Sequence, residues 1–309
     1  LFFACRLDKR KDALRRFLST TRPSDKDIMG IYLRPTTLTH ALECRAAGAE
    51  ILAGGTDFWP LRVGNPTYIT PSSVILDIGA VACLRGITRT VGQWRLGALV
   101  TWTEIADAPL PMALHALQMA AREVGGRQIQ NCGTIAGNLC NASPAADSVP
   151  ALLALGASVE LASLEGIRSM PLAEFLVGPR RTALRPNEVM TAVLVPAPHP
   201  QARSHYIKLG ARKYQLISVV MGAAVVRIDA GKVVEAALAL GACSPVATRL
   251  PELEAAVIGA EVGELARLPT AAHLAGLAPI EDVRADAIYR REAALVVARR
   301  LLAEFTGEV

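Results

Sequence analysis

The segment 134–147, Thr-Ile-Ala-Gly-Asn-Leu-Cys-Asn-Ala-Ser-Pro-Ala-Ala-Asp, constrains the possible structures of this chain more than any other. It combines a glycine turn, an amide, a hydroxyl and a carboxylate, and it runs into an apolar stretch, 149–155, that predicts a helix. Free backbone N–H groups ahead of a helix N-terminus bind phosphate, and the polar side chains would hold sugar or ribityl hydroxyls. We therefore expect a nucleotide-type cofactor, with Ser143 and Pro144 as the N-cap and first residue of a helix.

Composition and charge exclude several classes of function. The chain has 309 residues, 51% of them hydrophobic, which suits a globular protein of two or three domains, and no apolar run is long enough for a membrane span. Residues 1–28 carry a net charge of +4 out of the chain's +5. We expect them to be an extension outside the fold rather than a nucleic-acid arm, because the remainder is nearly neutral.

The six cysteines form no C-x-x-C pair, and their spacing fits neither an iron–sulfur nor a zinc site. The five histidines are scattered and share no metal-ligand spacing either. The sequence therefore predicts no metal site in this chain, and reduced cysteines of this kind indicate a cytoplasmic protein.

Hydrophobic periodicity outlines the organisation of the chain. A β-α-β unit is predicted between Tyr32 and residue 78, with its helix capped by Thr37 or Thr39 and with Gly54-Gly55 at the end of its inner strand. Three prolines in 196–201 predict a domain boundary. Further elements are predicted as a helix over 112–124, a hairpin turning at 229–231, and an amphipathic helix over 282–304 with Ile288, Leu295, Val296 and Leu302 on one face.

The chain has two glycine turns, Ala53 to Asp57 and Thr134 to Asn138. Glycine allows the backbone to approach a phosphate closely, so two such turns indicate a ligand that reaches both, such as a dinucleotide pyrophosphate. Neither turn has the Rossmann or the Walker spacing, which disfavours NAD bound in the usual manner and ATP hydrolysis.

Both turns resemble the FAD-binding loops of the flavin subunits in the xanthine dehydrogenase and carbon monoxide dehydrogenase family. Further similarities lie along 30–309, outside the basic extension 1–28. They are Tyr32-x-Arg34-Pro35, Leu96-Gly97-Ala98 with Thr101, Glu188 to Pro196, Tyr206 to Lys213 followed by Ile217 to Val220, and Ala287 to Arg290.

The resemblance implies an α+β fold, namely a PCMH-type FAD-binding fold of two subdomains plus a C-terminal antiparallel sheet-and-helix domain. The implied domains are 29–200, with subdomains of about 29–85 and 86–200, and 201–309. It implies non-covalent FAD and no catalytic side chain, and neither glycine turn contains a histidine for a covalent flavin link. The implied cofactor-binding residues are Leu52, Ala53, Gly54, Gly55, Thr56, Asp57, Thr101, Thr134, Ile135, Ala136, Gly137, Asn138, Ser143, Asp147, Met190 and Lys208.

Within that set, the glycine turns would hold the pyrophosphate. Ser143 and Asp147 would bind FAD hydroxyls or the adenosine end, Met190 would lie against the cofactor, and Lys208 would lie near the flavin. Two positions depart from the family pattern. Ala136 replaces a glycine, which would cost close backbone approach if the site needs a positive φ, and we expect it to be tolerated because Gly137 remains. Cys132 replaces a longer polar residue.

The resemblance also implies partners, an iron–sulfur small subunit and a molybdopterin large subunit, assembled as a dimer of heterotrimers. Electrons would pass from [2Fe–2S] clusters of the partner through FAD to NAD⁺, a quinone or oxygen. Two alternatives stay open at this point, a stand-alone flavin oxidoreductase of the same fold and a non-catalytic nucleotide-binding scaffold subunit.

Overall fold

A computed structural model describes residues 31–63, 73–212 and 217–307, so the expected extension 1–28 lies outside the described residues. The strands are Ile31–Leu33 (β1), Glu50–Leu52 (β2), Val74–Asp77 (β3), Ile87–Thr90 (β4), Gln93–Gly97 (β5), Ser158–Ser163 (β6), Gly166–Pro171 (β7), Leu176–Gly178 (β8), Arg181–Thr182 (β9), Val189–Pro196 (β10), Arg203–Leu209 (β11), Val220–Asp229 (β12), Lys232–Gly241 (β13) and Thr248–Arg249 (β14). The α-helices are Leu38–Ala46 (α1), Trp102–Asp107 (α2), His115–Glu123 (α3), Arg127–Cys132 (α4), Ile135–Asn141 (α5), Ser148–Ala154 (α6), Leu172–Phe175 (α7), Pro251–Val257 (α8) and Ala287–Ala303 (α9).

The chain divides into two compact units. The first contains the described residues up to Cys83 together with Ala162–Ile167 and Arg185–Val189, and the second contains Leu84–Leu161, Arg168–Leu184 and the remainder from Met190. The boundary expected at 196–201 stays a prediction.

The first unit contains a parallel sheet in the order β1-β3-β2, with α1 capped by the Thr37 hydroxyl. The predicted β-α-β unit is therefore present, but Gly54-Gly55 follows the edge strand β2 and not the inner strand β3. The sequence could not rank the strands, because both are short apolar runs of similar length.

Two further sheets are built largely from the second unit. One has the order β4-β5-β10-β6-β7, with β10 antiparallel to β5, and the other has the antiparallel order β11-β12-β13-β14. The predicted hairpin at 229–231 is confirmed, since β12 and β13 are joined by Ala230 (φ 48°) and Gly231 (φ 77°), both left-handed as a tight hairpin turn requires.

Helix α9 packs on the C-terminal sheet, in a core that includes Val220, Leu238, Leu240, Val297 and Leu301. The helix begins at Ala287 and not near residue 282, because the Asp286 side chain caps it by accepting from the Tyr289 N–H at 2.7 Å.

The apolar face predicted for α9 was right in part. Leu302 is fully buried and Leu295 packs partly buried against the core, but Ile288 is 73% exposed and Val296 is 51% exposed. The buried face also contains three alanines and one arginine, Arg290, which a pattern search that weights large apolar residues does not select.

The helix predicted over 112–124 is two elements, a 3₁₀ turn at Met112–Leu114 and α3 from His115. In the part of the chain that the structure describes, no helix is long and apolar enough to cross a membrane.

Glu160 offers a test of how the central sheet of the second unit is stabilised. Its carboxylate accepts from Arg95 Nη2 at 2.9 Å and from Thr191 Oγ1 at 2.6 Å. Burial alone would raise the pKa of Glu160, but the bonds from Thr191 and Arg95 outweigh burial and hold the pKa below its ordinary value.

We predict that Glu160→Gln lowers the free energy of unfolding by about 1–3 kcal/mol near neutral pH, because bonds to a charged group are lost. A lowered folded-state pKa gives stability that is present above the ordinary pKa and lost as the pH falls through the folded value, so the difference should shrink in acid. Denaturant unfolding from neutral to acid pH measures the difference in the free energy of unfolding between the wild type and Glu160→Gln. Glu165→Gln, at an exposed turn position, is the control. A pH-independent difference would contradict this account.

Candidate functional site

The segment Ala53 to Asp57 leaves the parallel sheet at the edge where the strands' carboxyl ends meet, which is where ligands gather in α/β layers. A helical turn follows, in which the Trp59 N–H donates to the Gly55 carbonyl at 3.1 Å and the Leu61 N–H to the Asp57 carbonyl at 3.3 Å. Within 31–63, 73–212 and 217–307, no acceptor takes the N–H groups of Gly54, Gly55, Thr56 or Asp57. These four donors suit an anionic phosphate.

Gly55 is required by its surroundings. It has a φ of +75°, and a Cβ there would lie 2.8 Å from Cδ1 and 2.9 Å from Nε1 of the Trp59 ring. Any side chain would therefore push the tryptophan away and strain the backbone at the centre of the donor cluster.

Asp77 lies at the same edge of the sheet and was not among the predicted site residues. Its carboxylate accepts from the Tyr32 hydroxyl and from the Gly79 N–H, and it pairs with Arg34 Nε at 3.1 Å. The hydrogen bond to Asp77, together with burial, raises the pKa of Tyr32. The sequence signal that could have identified Asp77 was the presence of an acidic residue at the end of an apolar strand.

The segment 134–147 differs from the expected loop, because α5 occupies its first half. Thr134 is the N-cap, and the first N–H groups of α5 all have partners. Ile135 donates to the Val100 carbonyl (3.0 Å), Ala136 to the Ala98 carbonyl (3.4 Å), and Gly137 and Asn138 to Thr134 Oγ1 and carbonyl oxygen (3.1 and 3.0 Å). The second glycine turn therefore offers side chains rather than free backbone donors.

Ala136 lies in this helix with an ordinary negative φ, and the residue is 94% buried. The backbone at this position therefore needs no positive φ, and the expectation that FAD binding tolerates the alanine stays a prediction. Gly137 is the constrained residue, because a Cβ would lie 2.8 Å from Thr134 Oγ1, the hydroxyl that caps the helix.

Thr101 lies beside Thr134, and the two residues form an isolated antiparallel bridge. Thr101 also caps α2, where its N–H and hydroxyl both donate to Glu104 Oε2, at 2.7 and 2.9 Å. Two helix N-termini are thus held next to each other by their capping threonines.

Ser143 does not cap a helix, contrary to prediction. Its hydroxyl accepts from the Ala145 N–H at 3.3 Å in a local turn, and the next helix, α6, begins only at Ser148. Ser148 Oγ donates to Asn138 Oδ1 at 2.8 Å, which fixes the amide. Proline at 144 therefore marks a turn between two short helices.

Asp147 forms the most polar buried cluster of the site. Its Oδ1 accepts from Tyr206 Oη at 3.0 Å and from Ser218 Oγ at 2.7 Å, and its Oδ2 pairs with Lys208 Nζ at 2.8 Å. Lys208 Nζ also donates to the Glu123 carbonyl at 2.9 Å. Burial, together with the negative charge of Asp147, raises the pKa of Tyr206 well above its ordinary value and keeps it a neutral donor.

The structure thus brings Asp147 and Lys208 together and adds Tyr206 and Ser218, which sequence reasoning missed. Both residues are buried. Their sequence signal was their position in the two segments, Tyr206 to Lys213 and Ile217 to Val220, that resemble the family. Met190 is also buried, in β10. Thr101, 134–147, Met190 and Lys208 belong to the second unit, whereas 52–57 belong to the first.

Each segment, taken by itself, offers groups that a dinucleotide cofactor needs. The first glycine turn has four N–H groups without an acceptor among the described residues, which suit phosphate, and the second segment has hydroxyl, amide and carboxylate groups near a buried ammonium. In the described ranges no cluster of histidine, cysteine and carboxylate side chains could hold a metal ion. Burial raises the pKa of the Cys243 thiol to about 12, which leaves it protonated and unreactive.

Comparisons with known proteins agree with this fit. The family model described as the FAD binding domain in molybdopterin dehydrogenase matches residues 24–198, and the model of the CO dehydrogenase flavoprotein C-terminal domain matches residues 205–305. The nicotinate dehydrogenase FAD-subunit of Eubacterium barkeri is 36% identical over 220 residues, covering 69% of this chain and 73% of that one. The xanthine dehydrogenase FAD-binding subunit of Escherichia coli O157:H7 is 35% identical over 229 residues, covering 72% and 77%.

A solved structure, reconstituted CO dehydrogenase from Oligotropha carboxidovorans, superimposes with a TM-score of 0.82 at 26% identity, covering 93% of this chain and 99% of that chain. The similarity of fold and sequence confirms the predicted α+β FAD-binding fold and the predicted cofactor, FAD. The residue assignments at the site stay predictions.

We predict that Gly137→Ala destabilises the protein by about 1–3 kcal/mol, because the new methyl displaces the buried Thr134 hydroxyl and leaves it unsatisfied. Gly276→Ala is the matched control, since a Cβ there meets no atom within 4 Å. Thermal or urea unfolding measures both, and in a Thr134→Ala background the cost of Gly137→Ala should disappear. A stabilising effect of Gly137→Ala, as helix propensity alone would give, would contradict the capping role.

Proposed function

Because this chain belongs to the FAD-binding subunits of the molybdopterin dehydrogenase family, we propose that it relays electrons within a molybdenum hydroxylase complex. In this proposal electrons arrive from [2Fe–2S] clusters of a partner chain, pass through FAD here, and leave to NAD⁺, a quinone or oxygen. The observation that supports the proposal is the cluster of N–H groups at 54–57, which have no acceptor among the described residues and would suit a phosphate, in a chain of an oxidoreductase family.

The bound FAD supplies the redox chemistry, and the protein binds and orients it. The N–H groups of Gly54 to Asp57 would hold the pyrophosphate, with Leu52 and Ala53 fixing the entry to the turn and Thr56 adding its hydroxyl. Backbone donors suit this task because they remain in place and carry no proton that titrates.

The second segment would contact the rest of the cofactor through side chains. Thr134 and Asn138, with the neighbouring Thr101, would face the phosphate side, while Ser143 and Asp147 would bind hydroxyls. These roles are consistent with a segment whose backbone donors are already used within the protein.

Lys208 would place a positive charge near the flavin, where it favours negative charge on the reduced ring. Two of its three N–H groups are taken by Asp147 and the Glu123 carbonyl, which hold the ammonium in one position. The third has no acceptor among the described residues and would be directed to the cofactor. Met190 would supply an apolar contact.

The proposed partners are an iron–sulfur small subunit and a molybdopterin large subunit, assembled as a dimer of heterotrimers. The names of the relatives, FAD-subunit and FAD-binding subunit, support a chain that works inside a larger complex. Among the described residues no two cysteines form a disulfide, which supports the proposed cytoplasmic location.

We predict that Gly55→Ala lowers the FAD content of the purified full chain at least tenfold, because the methyl displaces Trp59 and disturbs the donor cluster. Gly48→Ala is the matched control, since Gly48 also has a positive φ, +98°, but a Cβ there meets nothing within 4 Å. FAD released on denaturation is measured against protein concentration. Equal FAD content in both variants would count against the phosphate site at 54–57.

Electron transfer is tested in the complex purified with its partner chains. After anaerobic reduction by limiting dithionite, we expect NAD⁺, a quinone or oxygen to reoxidise the flavin and the clusters of the wild type. The same complex carrying Gly55→Ala should keep its reducible clusters but fail to pass electrons on. Equal reoxidation without flavin would refute the relay, and turnover by the isolated chain would favour a stand-alone oxidoreductase.

A further inference from the structure

Arg290, in the first turn of α9, is 99% buried and makes an unusual set of contacts. Its Nη1 donates to the carbonyls of Val219 (2.6 Å) and Ala242 (2.8 Å), and its Nη2 donates to Asp282 Oδ1 (2.7 Å). In the described part of the chain its Nε has no acceptor. A buried guanidinium is thus held mainly by backbone carbonyls of two separate segments.

Both of those segments act on residues 143–147. Val219 directly follows Ser218, whose hydroxyl donates to Asp147 Oδ1 at 2.7 Å. Ala242, whose φ of +62° is left-handed, donates its N–H to the Pro144 carbonyl at 3.1 Å. Arg290 therefore fixes one segment that binds the side chain of Asp147 and another that binds the backbone three residues earlier.

The arrangement does more than stabilise the fold. Burying a charged group with one donor unsatisfied is costly, and a well-packed apolar residue often serves stability equally well. What an apolar residue cannot do is hold two carbonyl oxygens at a fixed separation, which the planar guanidinium does with its fixed donor geometry.

We propose that Arg290 is a positioning residue for FAD, acting from the C-terminal domain through Ser218 and Pro144 to place Asp147 and Lys208. Asp282, whose carboxylate pairs with Arg290 Nη2, orients the guanidinium. The inference rests on the proposed function, in which Asp147 and Lys208 contact the cofactor.

The test compares the FAD dissociation constant of the full chain, measured by titrating the flavin-free protein, with its Tm. Arg290→Met is expected to weaken FAD binding at least tenfold. Leu301→Ala is the matched control, since Leu301 is buried on the same face of α9 and bonds to neither segment. It should lower the Tm at least as much yet change the dissociation constant less than twofold.

A double-mutant cycle tests the route. If Arg290 acts partly through Ser218, then Ser218→Ala should weaken FAD binding less when Arg290 is already methionine than it does in the wild type. Arg290→Lys keeps the charge but lacks the forked geometry, and it should fall between wild type and Arg290→Met. If the effects of Arg290→Met and Ser218→Ala on FAD binding are independent and additive, the proposal that Arg290 acts through Ser218 is overturned.

Asp147→Asn, measured in parallel, separates this inference from the proposed function. If Asp147→Asn binds FAD as the wild type does, the cofactor role of Asp147 fails and the inference fails with it. If Asp147→Asn weakens binding but Arg290→Met does not, the inference alone is overturned. If Arg290→Met does not fold, Asp282→Asn replaces it in the same comparison. Asp282→Asn is expected to weaken FAD binding at least threefold, and an unchanged FAD dissociation constant would overturn the inference.

Discussion

The buried carboxylate of Asp147 is the interaction on which the second segment of the candidate site, 134–147, depends. It accepts from two hydroxyls and one ammonium, and these donors come from β11 and from Ser218, two residues before β12. Removing one donor would leave a buried charge partly unsatisfied, so the donors and the acceptor hold one another in place. The same network explains why Asp147 precedes α6 without capping it, because its oxygens are already in use.

The two glycine turns look alike in sequence but differ in what they offer a ligand. In the first turn the N–H groups of Gly54 to Asp57 have no acceptor among the described residues, while the carbonyls of Gly55 and Asp57 accept from Trp59 and Leu61. In α5 the corresponding donors are taken by Thr134 and by the carbonyls of Ala98 and Val100. The two glycines, Gly55 and Gly137, also have different structural roles. Gly55 allows a left-handed turn, whereas Gly137 leaves space for a capping hydroxyl.

Much of the fold could be predicted from the sequence, because the signals were local. The hairpin at 229–231 and the Thr37 cap both depend on residues close together in the chain. Features that depend on tertiary packing could not be predicted. The buried face of α9 includes three alanines, whose small size carries little hydrophobic signal, and Arg290, which would ordinarily be placed on the exposed face.

The clearest limit on prediction concerns three residues with left-handed backbone conformations, one within the segment 142–147 and two that hydrogen-bond to it. Ala142 (φ 47°), Arg180 (φ 57°) and Ala242 (φ 62°) adopt a conformation that side chains disfavour, and neither alanine nor arginine marks such a turn in a sequence. Each is held by a long-range bond, since the Arg180 N–H donates to the Ala142 carbonyl at 2.8 Å and the Ala242 N–H donates to the Pro144 carbonyl. Strain of this kind persists only where the surrounding structure over-determines the backbone. The segment that carries Ser143 and Asp147 is therefore fixed from both sides by contacts that lie 38 and 98 residues away in sequence, beyond the reach of any local pattern.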